Sequence, residues 1–101
     1  LNKMGYELRP ISDGRKSFYK KAIVETDEEG VRTLISYNTK VCYIKDGQAV
    51  VLGTHSSTTL RHIKEFLKQN GFKAETKEQI IEDYPSSEKE RMLNKVMEYN
   101  E

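Results

Sequence analysis

The residues best suited to chemistry gather between Gly53 and His62, where the chain reads Gly-Thr-His-Ser-Ser-Thr-Thr-Leu-Arg-His. A helix starting in this stretch would present free amides and partial positive charge, the usual setting for an anion. Ser57, Thr58, Arg61 and His62 would then hold a phosphate or carboxylate. The same side chains have a structural use, because hydroxyls cap helices and Thr59 lies beside the apolar stripe. The spacing lacks the Gly-Lys-Ser/Thr run of a Walker phosphate loop.

Cys42, His55 and His62 are the soft metal ligands. Zinc takes four ligands, or three with an open position, and these three meet only if a strand and a loop converge. A cysteine on a strand is more often a small apolar filler, so neither a metal nor any other cofactor is expected. Ser56 and Ser57 adjoin His55, but no glycine-flanked elbow exposes a nucleophile. Asp27-Glu28-Glu29 is too short for a calcium loop. No catalytic residues are assigned, and the chain is read as non-enzymatic.

Two further groups could bind rather than react. Arg15, Lys16, Lys20 and Lys21 surround Phe18 and Tyr19, and basic residues interleaved with aromatics suit phosphates and bases. Tyr37, Asn38 and Thr39 would present polar groups at one end of a sheet. If the helix beginning near Ser57 reaches that end, Tyr37, Asn38, Arg61 and His62 frame one surface.

These groups must be positioned by a chain of 101 residues, 33% charged and 36% hydrophobic, a size that suits one domain. The expectation is a single domain over 1–101, with an irregular leader at 1–16, a β-meander at 17–54 and helices at 57–100. The net charge of +1 disfavours a strongly cationic nucleic-acid binder and a strongly acidic mimic. It is nevertheless polarised: residues 1–73 carry a net +5 and residues 74–101 a net −4. No apolar run suits a membrane span, Leu1 to Pro10 lacks the apolar stretch of a secretory signal, and a lone cysteine makes no internal disulfide.

Ser17–Glu25, Val31–Tyr37, Val41–Lys45 and Gln48–Leu52 read as strands, from their β-branched and aromatic content. Turns are expected at Asp27–Gly30, at Asn38-Thr39 and at Asp46-Gly47. The last is the strongest local signal, since a two-residue hairpin turn needs positive φ at both positions. It sets Lys45 opposite Gln48, Ile44 opposite Ala49, Tyr43 opposite Val50, Cys42 opposite Val51 and Val41 opposite Leu52. Both faces of that hairpin are apolar, so both should be covered. A helix capped by Ser57 is expected to stop at Gly71, with Leu60, Ile63, Phe66 and Leu67 inward, His62 at the edge, and Arg61, Lys64, Glu65 and Lys68 outward. Thr76 with Gln79, and Ser87 with Glu90, read as capping boxes. The last helix, about 88–100, would present Met92, Leu93, Val96 and Met97.

The stretches Leu34-Ile35-Ser36-Tyr37-Asn38-Thr39-Lys40-Val41 and Ser57-Thr58-Thr59-Leu60-Arg61-His62-Ile63-Lys64-Glu65-Phe66, with Phe18-Tyr19-Lys20-Lys21-Ala22 ahead of them, resemble a small uncharacterised domain family. That family is encoded by bacteriophages and gut-bacterial mobile elements, and the likeness covers about residues 17–70. It implies a bacterial cytoplasm and an accessory role, and it supplies no catalytic residues to carry over.

The expected fold is α+β: an antiparallel meander of about four strands, then two or three helices on one face. The expected function is a protein-interaction module whose partner is another protein or a second copy of the chain. The alternative is a nucleic-acid-binding accessory protein that uses Arg15, Lys16, Lys20, Lys21 and the Arg61-His62 helix start. No membrane is expected as a partner.

Overall fold

The computed structural model describes residues 4–53 and 55–87. Five strands form one antiparallel sheet in chain order: β1 (Met4–Glu7), β2 (Ala22–Thr26), β3 (Arg32–Ser36), β4 (Thr39–Lys45) and β5 (Gln48–Val51). Two helices follow, α1 (Ser57–Gln69) and α2 (Lys77–Asp83). The class is α+β, with one more strand than expected: residues 4–7 of the supposed irregular leader pair with β2 from Met4↔Thr26 to Glu7↔Ile23. The expected helix at 88–100 lies outside the described residues.

The hairpin β4–β5 has the register that its turn demands, from Lys45↔Gln48 to Cys42↔Val51. The ladder continues where the Leu52 amide donates to the Val41 carbonyl. Asp46 and Gly47 both have positive φ, 51° and 75°. None of the eight apolar residues of this hairpin is exposed. Cys42, Ala49 and Val51 are buried on the core face, while Tyr43 and Val50 are half-buried on the other. Val41 is buried for a reason the alternation does not supply. Between Leu34 and Ile35 the partner on β4 jumps from Cys42 to Lys40. Val41 is therefore the extra residue of a bulge, which redirects its side chain into the core beside Cys42. Burial pushes the Cys42 thiol well above its ordinary value, which favours the neutral thiol packed among apolar neighbours.

Two expected strand limits move. Residues 18–21 are not strand: the Lys21 amide donates to the Phe18 carbonyl at 2.9 Å, with Tyr19 and Lys20 at φ 53° and 62°. This is a tight turn of the I′ kind, imposed on residues whose local preference is for strand. The β3–β4 turn is Tyr37-Asn38 rather than Asn38-Thr39, since Ser36 pairs with Thr39 and Tyr37 and Asn38 have φ 50° and 68°.

Helix α1 is capped by Ser56, one residue before the expected Ser57; its hydroxyl accepts from the Thr59 amide. At the other end the Phe72 amide reaches the Leu67 carbonyl and the Gly71 amide the Lys68 carbonyl. Gly71 takes φ 83°, the left-handed stop that glycine adopts without penalty. The helix runs antiparallel to β3: Thr59 and His62 meet Ser36 at the end of that strand, and Asn70 accepts from Arg32 at its start. The core is built from Val24, Leu34, Cys42 and Val51 of the sheet, Ile63, Phe66 and Leu67 of α1, Ile80 of α2, and Leu8 and Phe18 of the leader. The buried stripe of α1 is rotated from the expected one. His62 and Glu65 are buried, each 2% exposed, whereas Leu60 is half-buried.

Thr76 caps α2 and accepts from the Gln79 amide, while Gln79 reaches back to the Glu75 amide. The chain then returns to β5, where the Val51 amide donates to the Tyr84 carbonyl and Pro85 bridges Val51. That return shields a sheet edge. No helix among the described residues is long and apolar enough to cross a membrane.

Candidate functional site

One end of the sheet collects most of the residues expected to bind. Here β2 and β4 begin, β1 and β3 finish, and the leader passes over α1. The turns at Tyr19-Lys20 and Tyr37-Asn38 lie side by side, joined by a hydrogen bond from the Tyr37 amide to the Lys21 carbonyl. A left-handed backbone costs a residue with a side chain roughly 1–2 kcal/mol, so both tyrosines must be held there. The Tyr19 amide donates to the Ser17 hydroxyl and the Lys20 amide to Glu7. Tyr37 stacks on His62, with ring centroids 5.7 Å apart and planes at 27°. Both tyrosines face solvent, 71% exposed at Tyr19 and 50% at Tyr37.

Beneath them lies a buried polar cluster. The Ser36 hydroxyl is 2.8 Å from Nδ1 of His62 and 3.1 Å from the Thr59 hydroxyl. The His62 ring contacts Phe18, with centroids 4.6 Å apart and planes at 59°, as well as Tyr37. Burial holds the His62 imidazole below its ordinary value, the Asp13 charge opposing and that of Arg15 adding, so the ring is neutral at physiological pH. Ser36 and His62 have the contact of a nucleophile and base. They are almost fully enclosed, however, and among the described residues no carboxylate hydrogen-bonds the ring. The arrangement links strand to helix.

The leader is clasped to α1 by charge. Glu65 accepts from the Ser12 and Asp13 amides through Oε1 and from Gln69 through Oε2. Gln69 also donates to the Arg9 carbonyl. Asp13 in turn accepts from the Arg15 amide and from Arg61, at 3.2 Å to each of its oxygens. Its carboxyl lies below the usual value, chiefly through the Arg15 amide and then Arg61.

The expected site residues thus divide. Tyr37 stacks on His62 at the end of the sheet where Asn38, Lys20 and Lys21 lie in or beside the two turns, and Arg15 is near His62. His62 lies beneath this surface rather than on it, and Arg61 is engaged by Asp13. Thr39 closes β3 onto β4, Ser57 is exposed in the first turn of α1, and Thr58 is half-buried. Arg15, Lys16, Lys20 and Lys21 are exposed, and no ion pair among the described residues is recorded for them. Phe18, expected among the interleaved aromatics, is buried instead, and the sequence does not single out Ser36 or Glu65. For Glu65 a signal existed: His62, Glu65, Phe66 and Gln69 share one helix face at 100° per residue. Among the described residues no group of three or more His, Cys, Asp or Glu is arranged to hold a metal ion.

A family model described as a family of unknown function (DUF8033) matches residues 6–82. The chain belongs to that family. The DUF8033 match begins inside β1 and ends inside α2, so it takes in both tyrosine turns and the leader clasp. No curated protein and no solved structure matches the chain.

Proposed function

We propose that the chain is a non-enzymatic accessory protein that binds nucleic acid through the tyrosine-bearing end of its sheet. The setting is a bacterial cytoplasm and a phage or mobile element, which rests on the resemblance of residues 17–70 alone. The observation that carries the reading is the grouping of Arg15, Lys16, Lys20 and Lys21 with the exposed rings of Tyr19 and Tyr37. The acids at the same end are engaged, Asp13 by Arg61 and Glu7 by Arg9 and the Lys20 amide. The local surface is therefore positive although the whole chain is nearly neutral. Enclosure of Ser36 and His62 supports binding over catalysis.

Titration of a labelled oligonucleotide with the protein over a salt series tests this. Four phosphate contacts give a slope of log affinity against log salt of about −3 for a single strand. Absence of binding at low salt, or a flat salt response, overturns the reading.

A second reading, a protein-interaction module that includes self-association, is favoured by a different observation. On the sheet face away from α1, the cross-strand pairs Ile23–Ile35 and Tyr43–Val50 are apolar and half-buried. Light scattering that finds a dimer, lost on Ile35→Lys, supports it; a monomer at all concentrations removes self-association.

A further inference from the structure

We infer that the partner is single-stranded nucleic acid, and that the ring of Tyr37 is the platform on which an unpaired base stacks. This rests on the nucleic-acid reading above and deepens it. His62 touches two rings, the buried Phe18 at a tilt of 59° and the exposed Tyr37 in a stack at 27°, so aromatic contact runs from the core to the surface. The Tyr37 ring stacks on His62 while half of the residue stays exposed. A base laid on its exposed surface extends that stack by one ring. Its partner is already fixed: the turn holds the Tyr37 backbone, the Lys21 carbonyl holds its amide, and Ser36 holds His62 below. A ring immobilised before binding loses little entropy on binding.

The chemistry of the rim selects the same ligand. Stacking is sequence-tolerant because every base has a π-face, and it is combined in single-strand binders with cations that follow the backbone. Lys20 and Lys21 sit in or beside the two turns, and Arg15 and Lys16 in the leader next to them. Tyr19, exposed in the neighbouring turn, offers a second ring. A duplex keeps its base faces covered, so it can use the cations but not the rings.

The test is fluorescence anisotropy with a labelled oligothymidylate, competed by the unlabelled strand and by a duplex of equal length. The single strand is expected to compete better. Tyr37→Asn, which suits a left-handed turn, should weaken single-strand binding about tenfold while leaving the salt slope unchanged, since it removes stacking and no charge. Tyr37→Phe, which keeps the ring, should restore affinity. Lys20→Gln with Lys21→Gln should instead flatten the slope by about 1.4. A duplex that competes equally well, or a Tyr37→Asn protein with unchanged affinity and a native melting profile, overturns the inference but leaves nucleic-acid binding standing. Binding to neither strand nor duplex overturns the proposed function itself.

Discussion

The two ends of the sheet solve one geometric problem in different ways. At the end that carries Asp27–Gly30 and Asp46-Gly47, the turns are built from residues that favour them. Asp27 accepts from the Glu29 and Val31 amides, Gly30 and Gly47 supply positive φ, and a Cβ built on Gly47 meets nothing within 4 Å. Those turns close on their own chemistry. At the opposite end, tyrosine and lysine occupy left-handed positions, and beside the local Ser17 hydroxyl the backbone is supported from elsewhere: by Glu7, by the hydrogen bond from Tyr37 to the Lys21 carbonyl and by the His62 ring. Strain of this kind persists only where surrounding structure over-determines it, and it concentrates at functional positions. The same chain shows that the cheaper solution was within reach, which is why the tyrosine-bearing end, rather than the glycine-bearing one, is read as the working surface.

The largest way to break this contrast is Glu65→Ala. It leaves two leader amides and the Gln69 amide without their charged acceptor, and chemical denaturation should show a loss of about 3 kcal/mol. At the self-sufficient end, Gly47→Ala forces a side chain into φ 75° and should destabilise by roughly 1–2 kcal/mol. Tyr19→Asn should do the reverse and stabilise by about 1 kcal/mol, because asparagine visits this region more readily. Tyr37→Asn should gain less, since it forfeits a ring contact of about 0.5–1.5 kcal/mol with His62.

The smallest effect is on pH dependence. The folded chain holds His62 below its ordinary 6.5, so below that pH the unfolded chain binds a proton that the folded chain refuses. Stability is then fully present above pH 6.5 and falls as pH drops through the range beneath it, levelling off once the folded ring protonates. Urea midpoints measured on either side of pH 6.5 should show this decline in the native chain and a shallower one in His62→Gln.

What was legible in the sequence follows the same divide. The Asp46-Gly47 turn and its register, the Gly71 helix stop and the Thr76 cap are specified by residues within a few positions of each other, and each is found where local chemistry puts it. The tyrosine end was misread wherever a distant group decides. Phe18-Tyr19-Lys20-Lys21 has strand composition, and its contacts with the distant Glu7 and Tyr37 help to hold it as a turn. Glu65 reads as solvated because it is charged, whereas it is buried by the leader amides that it binds. β1 is four residues with a glycine, too short for alternation to show, and exists by pairing with β2. The contact of Tyr37 with His62 depends on where α1 begins, which the sequence leaves conditional, and the antiparallel course of that helix along β3 supplies it.

The central claim is that strain in the two tyrosine turns is retained for binding, and the Tyr19→Asn/Tyr37→Asn double variant tests it in one preparation. Its melting temperature and its affinity for single-stranded oligothymidylate should move in opposite directions, with a fold as stable as the native chain or more so and binding lost. A double variant that melts lower yet binds as tightly as the native chain would contradict the account, because the tyrosines would then serve the fold and not a ligand.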